Sequence, residues 1–287
     1  MRPARAVVAA LLAALCLTAL PACGGEDRLA EIEQRAERAR ERVKERIERA
    51  RARVQEALDD LEQSVPRATP STPSPQTRGR TEPNQVEAFL TEVITSVDRY
   101  WTRTLADAGR PEPRVVYVWV PPGRVVGTGC GAPAGPDAAF YCPTDDTIYF
   151  SQQLAARLWD GIADDFPGER AGYGNAVGDF GVAYVVAHEY AHNVQEELGL
   201  FRVGQEFGAK PFELQADCMA GLWGNSVYRE GKLQPGDVEE AMSTATAAGD
   251  FDVGNVQHHG TPEERRAAWL DGYRSGDPAA CARYVPA

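Results

Sequence analysis

The stretch "VVAHEYAHNVQ", residues 185–195, holds two of the four histidines in a chain of 287 residues. On a helix, His188 and His192 leave the same face one turn apart, so both imidazoles can reach one metal ion. Glu189 follows His188 by one residue, roughly 100° around the axis. It can address a water at that ion without ligating it. The spacing is His-Glu-x-x-His: two zinc ligands and a general base. The rival reading is an ordinary amphipathic helix that is rich in histidine. Asp179 is placed to cap the start of this helix, and Gly199 to end it.

A third ligand and a buried partner for the imidazoles decide between the two. "KPFELQADCMAGLWGNSVYREG", residues 210–231, begins a helix around Pro211 and carries Glu213 and Asp217 one turn apart. Packed against the first helix, Glu213 completes a His, His, Glu set. Asp217 can then accept a hydrogen bond from the far nitrogen of one ring. Catalytic zinc takes three protein ligands, an open position and a carboxylate that fixes the imidazole tautomer. Leu214, Ala216, Met219, Ala220, Leu222 and Trp223 make the stretch too apolar for a solvated face, and a carboxylate buried there needs a partner.

The other two histidines stand in "VQHHGTPEERRAAWLDGY", residues 256–273. Thr261 and Glu264 form a capping-box pattern that opens a last helix, so His258 and His259 precede its entrance. A histidine near zinc can donate to a developing oxyanion. Tyr149, Tyr184 and Tyr190 are further donors, although aromatics at such spacings are more often core.

The compartment is read from the first residues. Arg2 and Arg5 precede an apolar run, Val7 to Leu20, that is short for a bilayer span. It stops at "LPAC", and Leu20, Ala22 and the glycines after Cys23 form a lipoprotein cleavage pattern. Residues 1–22 are thus an expected signal peptide and Cys23 the lipidated residue; an ordinary secretory signal is the alternative. Either way the chain is exported, lipid-anchored at the bacterial cell membrane in the first case and secreted in the second. Cys130, Cys142, Cys218 and Cys281 then face an oxidising compartment as two expected disulfides. Sequence alone does not choose among the three pairings. The short Gly/Pro-rich closure of "CGAPAGPDAAFYC", residues 130–142, suits a hairpin staple, Cys130–Cys142, which leaves Cys218–Cys281. A four-cysteine zinc site is disfavoured because close CxxC pairs are missing.

Residues 23–64 are dense in Glu, Arg and Ala, with no Gly or Pro beyond Gly25. Apolar positions from Leu29 to Leu61 step by three and four, a coiled-coil seam with a stutter. Four seam positions are Ala, so self-association competes with a lone charged spacer. Residues 65–84 read as a Pro/Ser/Thr-rich linker. Residues 85–287 have the composition of a globular domain. Within it, "VEAFLTEVITSVDRYWTRTLADAG" is helical and ends at Gly109, and "RVVYVWVPP" is a strand. "AAFYCPTDDTIYFS" reads as strand, turn at Thr144 to Asp146, and strand, followed by a helix from Gln152 to Ile162. The expected class is α+β and mostly helical, a small sheet or hairpin first and helices later. The formal charge of −12 excludes nucleic acid as a partner, since 15 basic residues stand against 29 acidic ones from Gln85 onward.

Taken together, "GDFGVAYVVAHEYAHNVQ", "ELQADCMAG", "HHGTPEERRAAWLDGY" and "CGAPAGPDAAFYCPTDDTIYF" resemble the neutral zinc metallopeptidase family of bacteria, across most of residues 85 to 285. That family resembles gluzincins in pairing HExxH with a downstream ExxxD. The resemblance implies a zincin-like domain with one zinc ion per chain. It implies His188, His192 and Glu213 as ligands, Glu189 as general base and Asp217 behind His188. The family's His-Gly block makes His259 the better oxyanion donor of the two. Ala191 and Asn193 stand where the family usually has Gly and a further His, neither at a ligand position. The implied activity is hydrolysis of a peptide or protein substrate by zinc-activated water. The rival functions are a catalytically silent zinc-binding module and a lipoprotein that binds the cell envelope.

Overall fold

The computed structural model describes Arg38 and residues 83–163, 166–203 and 207–285. The signal with Cys23, the coiled-coil seam from Leu29 to Leu61 and nearly all of the linker lie outside the described residues. The first helix, α1 (Pro83–Asp107), starts inside the last residues of the expected linker. Proline suits a first helical turn, where its missing N–H is not needed.

A short sheet follows. Strands β1 (Val116–Val120), β2 (Ala139–Cys142) and β3 (Thr147–Ser151) pair in the order β1-β3-β2. The first pair is parallel and the hairpin pair antiparallel, with Phe140 opposite Tyr149. The strand-turn-strand expectation holds, and Asp146 in the turn has a φ of 54°. β2 lies at an edge. Cys142 of that strand is bonded to Cys130, with Cα atoms 5.8 Å apart. Ser151 then caps α2 (Gln152–Trp159), its side chain accepting from the Gln153 and Leu154 amides. This helix stops at Trp159, short of the expected Ile162.

Helices make up the rest: α3 (Pro167–Arg170), α4 (Asp179–Glu197), α5 (Leu200–Val203), α6 (Lys210–Arg229), α7 (Asp237–Ala248) and α8 (Pro262–Ser275), with a 3₁₀ turn at Pro278–Tyr284. The His-Glu-x-x-His segment is α4. It is no amphipathic surface helix, because residues on all its sides are buried from Phe180 to Ala191. A helix apolar all round belongs in a core, and α1, α2, α6, α7 and β2 all pack on it. The fold is α+β and mostly helical, as expected. Among the described residues no helix is long and apolar enough to cross a membrane.

Two close approaches set the helix positions. Gly178, not Asp179, is the N-cap of α4, with a φ of 84°. The amide of Phe180 donates instead to Glu240 on α7, at 3.0 Å. A Cβ on Gly178 would strike that carboxyl group. Thus a neighbouring helix caps α4, which no local pattern could disclose, while Asp179 sits one residue inside. At the other crossing α6 and α8 meet backbone to backbone. A Cβ on Gly221 would collide with the Trp269 carbonyl, and one on Gly272 with the Cys218 carbonyl. The expected capping box starts α8: Thr261 accepts from the Glu264 amide and Glu264 from the Thr261 amide. Cys218 on α6 is bonded to Cys281 in the 3₁₀ turn, with Cα atoms 5.6 Å apart, so the cysteines form disulfides and not a metal site.

Gly272→Ala tests the second crossing. Elsewhere in a helix this change gains ~1 kcal/mol; here overpacking against backbone should outweigh it, with a net loss of about 1–3 kcal/mol in a denaturant titration. A neutral or stabilised variant would show that the helices are not in backbone contact. The capping acid makes a second prediction. Burial foremost, and then the nearby Asp179 charge, push Asp237 and Glu240 each up to about 7. Unfolded, both titrate near ~4, so between about pH 4 and 7 the folded state holds the extra protons and these groups make stability fall as pH rises. Relative to wild type, Glu240→Gln should therefore gain stability between pH 5 and pH 8, as read by urea unfolding; a difference independent of pH would refute the cause given.

Candidate metal centre

α4 and α6 bring His188, His192 and Glu213 together, with one donor atom from each within 4.8 Å of the others. Glu213 Oε2 lies 3.2 Å from His188 Nε2, and Oε1 lies 3.4 Å from His192 Nε2. Two ligand atoms about 2.1 Å from a shared tetrahedral centre stand ~3.4 Å apart, so the donor set fits one zinc ion. The two rings meet edge to face, with centroids 4.8 Å apart.

Each ring is held from behind. His188 Nδ1 is 2.9 Å from Asp217 Oδ1, as expected of Asp217. His192 Nδ1 is 2.8 Å from Gln195 Oε1. The amide group of Gln195 donates to the Phe212 carbonyl and to Gln215 Oε1, so its oxygen is the atom left to accept. Hydrogen-bond assignment therefore puts the proton of each neutral ring on Nδ1 and turns each Nε2 toward Glu213. Gln195, one turn past His192, was not singled out from sequence; its i+3 spacing from a ligand was the available signal.

Arg265 was missed as well. It comes from α8, buried, with Nε 2.8 Å from Asp217 Oδ2 and Nη2 2.9 Å from Asp217 Oδ1. Nη2 also reaches the Tyr184 hydroxyl at 3.2 Å, and that hydroxyl donates to Asp217 Oδ1 at 2.6 Å. Its sequence neighbours Glu263, Glu264 and Arg266 are charged, so no local signal set it apart from a solvated first turn. Burial works against the charge on Asp217, yet Arg265 and then His188 hold it below the usual carboxylate range. Burial likewise opposes charge on Glu213, but His192 and His188 keep it well below that range. For His188, burial lowers the pKa while Asp217 and Glu213 outweigh it and raise it to about 9.

Glu189 points elsewhere. Its Oε2 accepts from the Tyr141 amide of edge strand β2 at 2.8 Å. Burial raises its pKa above the ordinary value, in spite of the two histidines. Glu189, His188, His192 and Glu213 line a cleft of ≈ 620 Å³, and His259 lies on its wall. His258 does not: it is buried, with Nδ1 2.5 Å from Asp250 Oδ1. Tyr184 stands at the centre through Asp217, whereas Tyr149 donates to Asp145 and Tyr190 to Asp98. Asn193, where the family was expected to have a further histidine after His192, donates to the Arg114 carbonyl and to Asp146. Ala191, two residues earlier, is wholly buried.

A two-histidine, one-carboxylate set, His188 buried and His192 and Glu213 partly so, on packed helices beside a small sheet defines a zincin-like domain. The family model described as "Putative neutral zinc metallopeptidase" matches residues 55–284, and the chain belongs to that family. The match reaches upstream of the resemblance read from the motifs, taking in the linker and the end of the charged stretch. Uncharacterized protein YpfJ of Escherichia coli (strain K12) is 32% identical over 223 residues, 69% of this chain and 72% of that protein. Uncharacterized protein Rv2575 of Mycobacterium tuberculosis (strain ATCC 25618 / H37Rv) is 32% identical over 222 residues, 68% and 70% of the two chains. No solved structure matches the chain.

The two adjacent histidines should separate by stability. His258→Ala removes a buried side-chain partner of Asp250, which keeps the Asp252 and His259 amides, and a loss of about 1–3 kcal/mol is expected in urea unfolding. His259→Ala, at a side chain 49% exposed, should stay within about 0.5 kcal/mol of wild type. Equal losses would refute the assignment of His258 to the loop and His259 to the cleft.

Proposed function

We propose that this chain is a zinc-dependent peptidase acting outside the cytoplasm, anchored to the membrane by lipid on Cys23, with one zinc ion per chain held by His188, His192 and Glu213. The observation that carries this reading is the convergence of two Nε2 atoms and one carboxylate, each ring tied from behind, with a separate buried carboxylate alongside. When bound, the ion supplies Lewis acidity to a carbonyl and lowers the pKa of a water. Glu189 acts as the general base. Its carboxyl group, buried beside the three candidate ligands, takes a proton and passes it to the leaving amine. The Tyr141 amide fixes one of its oxygens, which orients the carboxyl group. His259, on the cleft wall, donates to the carbonyl oxygen as negative charge develops.

The substrate is a peptide or protein segment in extended form. Support comes from the hairpin: the Ser151 amide donates to the Ala138 carbonyl, so by alternation Ala139 and Tyr141 turn their backbone groups away from β3. Those residues line the cleft; the Tyr141 amide is held by Glu189, so the edge offers an extended chain the Ala139 backbone and the Tyr141 carbonyl. The charged stretch before the domain serves as a spacer, with self-association through its seam as a further role.

Metal content and cleavage of a peptide library test the reading together. Wild type and Glu189→Gln should each hold about one zinc per chain, as a three-ligand site does, and Glu213→Ala should lose it. Only wild type should cleave, with Glu189→Gln slower by about 10²-fold or more. Zinc bound without cleavage would leave a silent metal-binding module; no zinc in wild type would favour an envelope-binding lipoprotein.

A further inference from the structure

We propose that Arg265 is a positioning residue of the metal centre: its guanidinium fixes Asp217 against His188 Nδ1 and balances the Asp217 charge beside the ligand set. This inference rests on the zinc reading above and adds a component to it.

Asp217 is wholly buried and Arg265 is 5% exposed. Both carboxylate oxygens are used in the pair. Oδ2 accepts from Nε, and Oδ1 accepts from Nη2, from the Tyr184 hydroxyl and from His188 Nδ1. A planar fork that grips two oxygens fixes the plane of the carboxylate as well as its place. That plane aims Oδ1 at the imidazole. Nη2 also lies 3.6 Å from Glu213 Oε2. The guanidinium therefore stands between a ligand carboxylate and the carboxylate behind a ligand.

The helix faces agree with this reading. Asp217 and Gly221 are one turn apart on α6; Arg265, Trp269 and Gly272 follow at helical spacing on α8. The glycine crossing and the ion pair thus share one interface. Lysine would keep the charge but not the fork, and a neutral residue would leave Asp217 buried without its cation.

The test is a double-mutant cycle on the full chain with Arg265→Met, Asp217→Asn, the double variant and Arg265→Lys. Two readouts are needed: zinc retention against excess chelator, and the thermal midpoint of the metal-stripped protein. Each single change should weaken zinc retention by about 10- to 100-fold, the usual effect of removing an outer partner of a ligand. The double variant should be no weaker than the worse single one. Without metal, Arg265→Met should melt below wild type and recover part of the loss when Asp217→Asn is added. Arg265→Lys should fall between wild type and Arg265→Met in zinc retention. Multiplying losses, or wild-type retention in Arg265→Met, would overturn the proposal. If Arg265→Met does not fold, wild-type zinc retention in Arg265→Lys overturns it instead. Failure of wild type itself to hold zinc overturns the peptidase reading; wild type holding zinc beside an unaffected Arg265→Met overturns only the role of Arg265.

Discussion

The backbone contact of α6 with α8 at Gly221 and Gly272 is the constraint from which the centre is built. Only where two helices lack Cβ atoms at the crossing can their axes come this close. The approach delivers Arg265 to Asp217 with room for a two-point grip, and Asp217 then fixes His188. Buried ion pairs gain little net stability, but removing one partner leaves an uncompensated charge that costs about 3–5 kcal/mol. The pair is therefore strict about helix placement rather than strongly stabilising. Trp269 stacked on Tyr273 along the same face, and the Cys218–Cys281 bond beside Asp217, keep α8 and the 3₁₀ turn on α6.

Burial of α4 on all sides has two opposite effects on its chemistry. It raises the Glu189 pKa because the charged form loses water. It would do the same to Glu213, but the two imidazoles beside that residue reverse the sign. Two carboxylates on the same cleft are thus shifted in opposite directions: burial dominates at Glu189, while the imidazoles in contact with Glu213 dominate there.

Much of the candidate centre was legible in the sequence because its residues come in pairs from single helices. Spacings of four in His188–His192 and Glu213–Asp217 translate directly into shared faces. The capping box at Thr261 and the short closure from Cys130 to Cys142 are local too. What was not legible depends on contacts between elements. Asp179 has the composition of a cap, yet Glu240 reaches across from α7 and takes that place. Arg265 lies 48 residues from its partner Asp217, and nothing in its own neighbourhood marks it. The preference for His259 over His258 came from the family resemblance alone, because which way the loop faces cannot be read from two adjacent positions.

The departure at Asn193 fits this geometry. His188 and His192 share one face of α4, turned to α6; Glu189 and Asn193, each one residue on, share the next face, turned to the hairpin. Glu189 accepts from the Tyr141 amide, while Asn193 donates to Asp146, which also accepts from the Tyr141 hydroxyl at 2.7 Å. One residue of β2 is therefore held to α4 through both its backbone and its side chain. Asp146, in its left-handed conformation, completes the turn that makes the second hold possible. A longer imidazole at position 193 would have to address the same turn differently. Asparagine offers one donor group to two acceptors, Asp146 and the Arg114 carbonyl leading into β1. The helix that carries His188 and His192 on one face thus sets the sheet edge with the adjacent face, so the distance between cleft floor and edge strand is fixed by a single element.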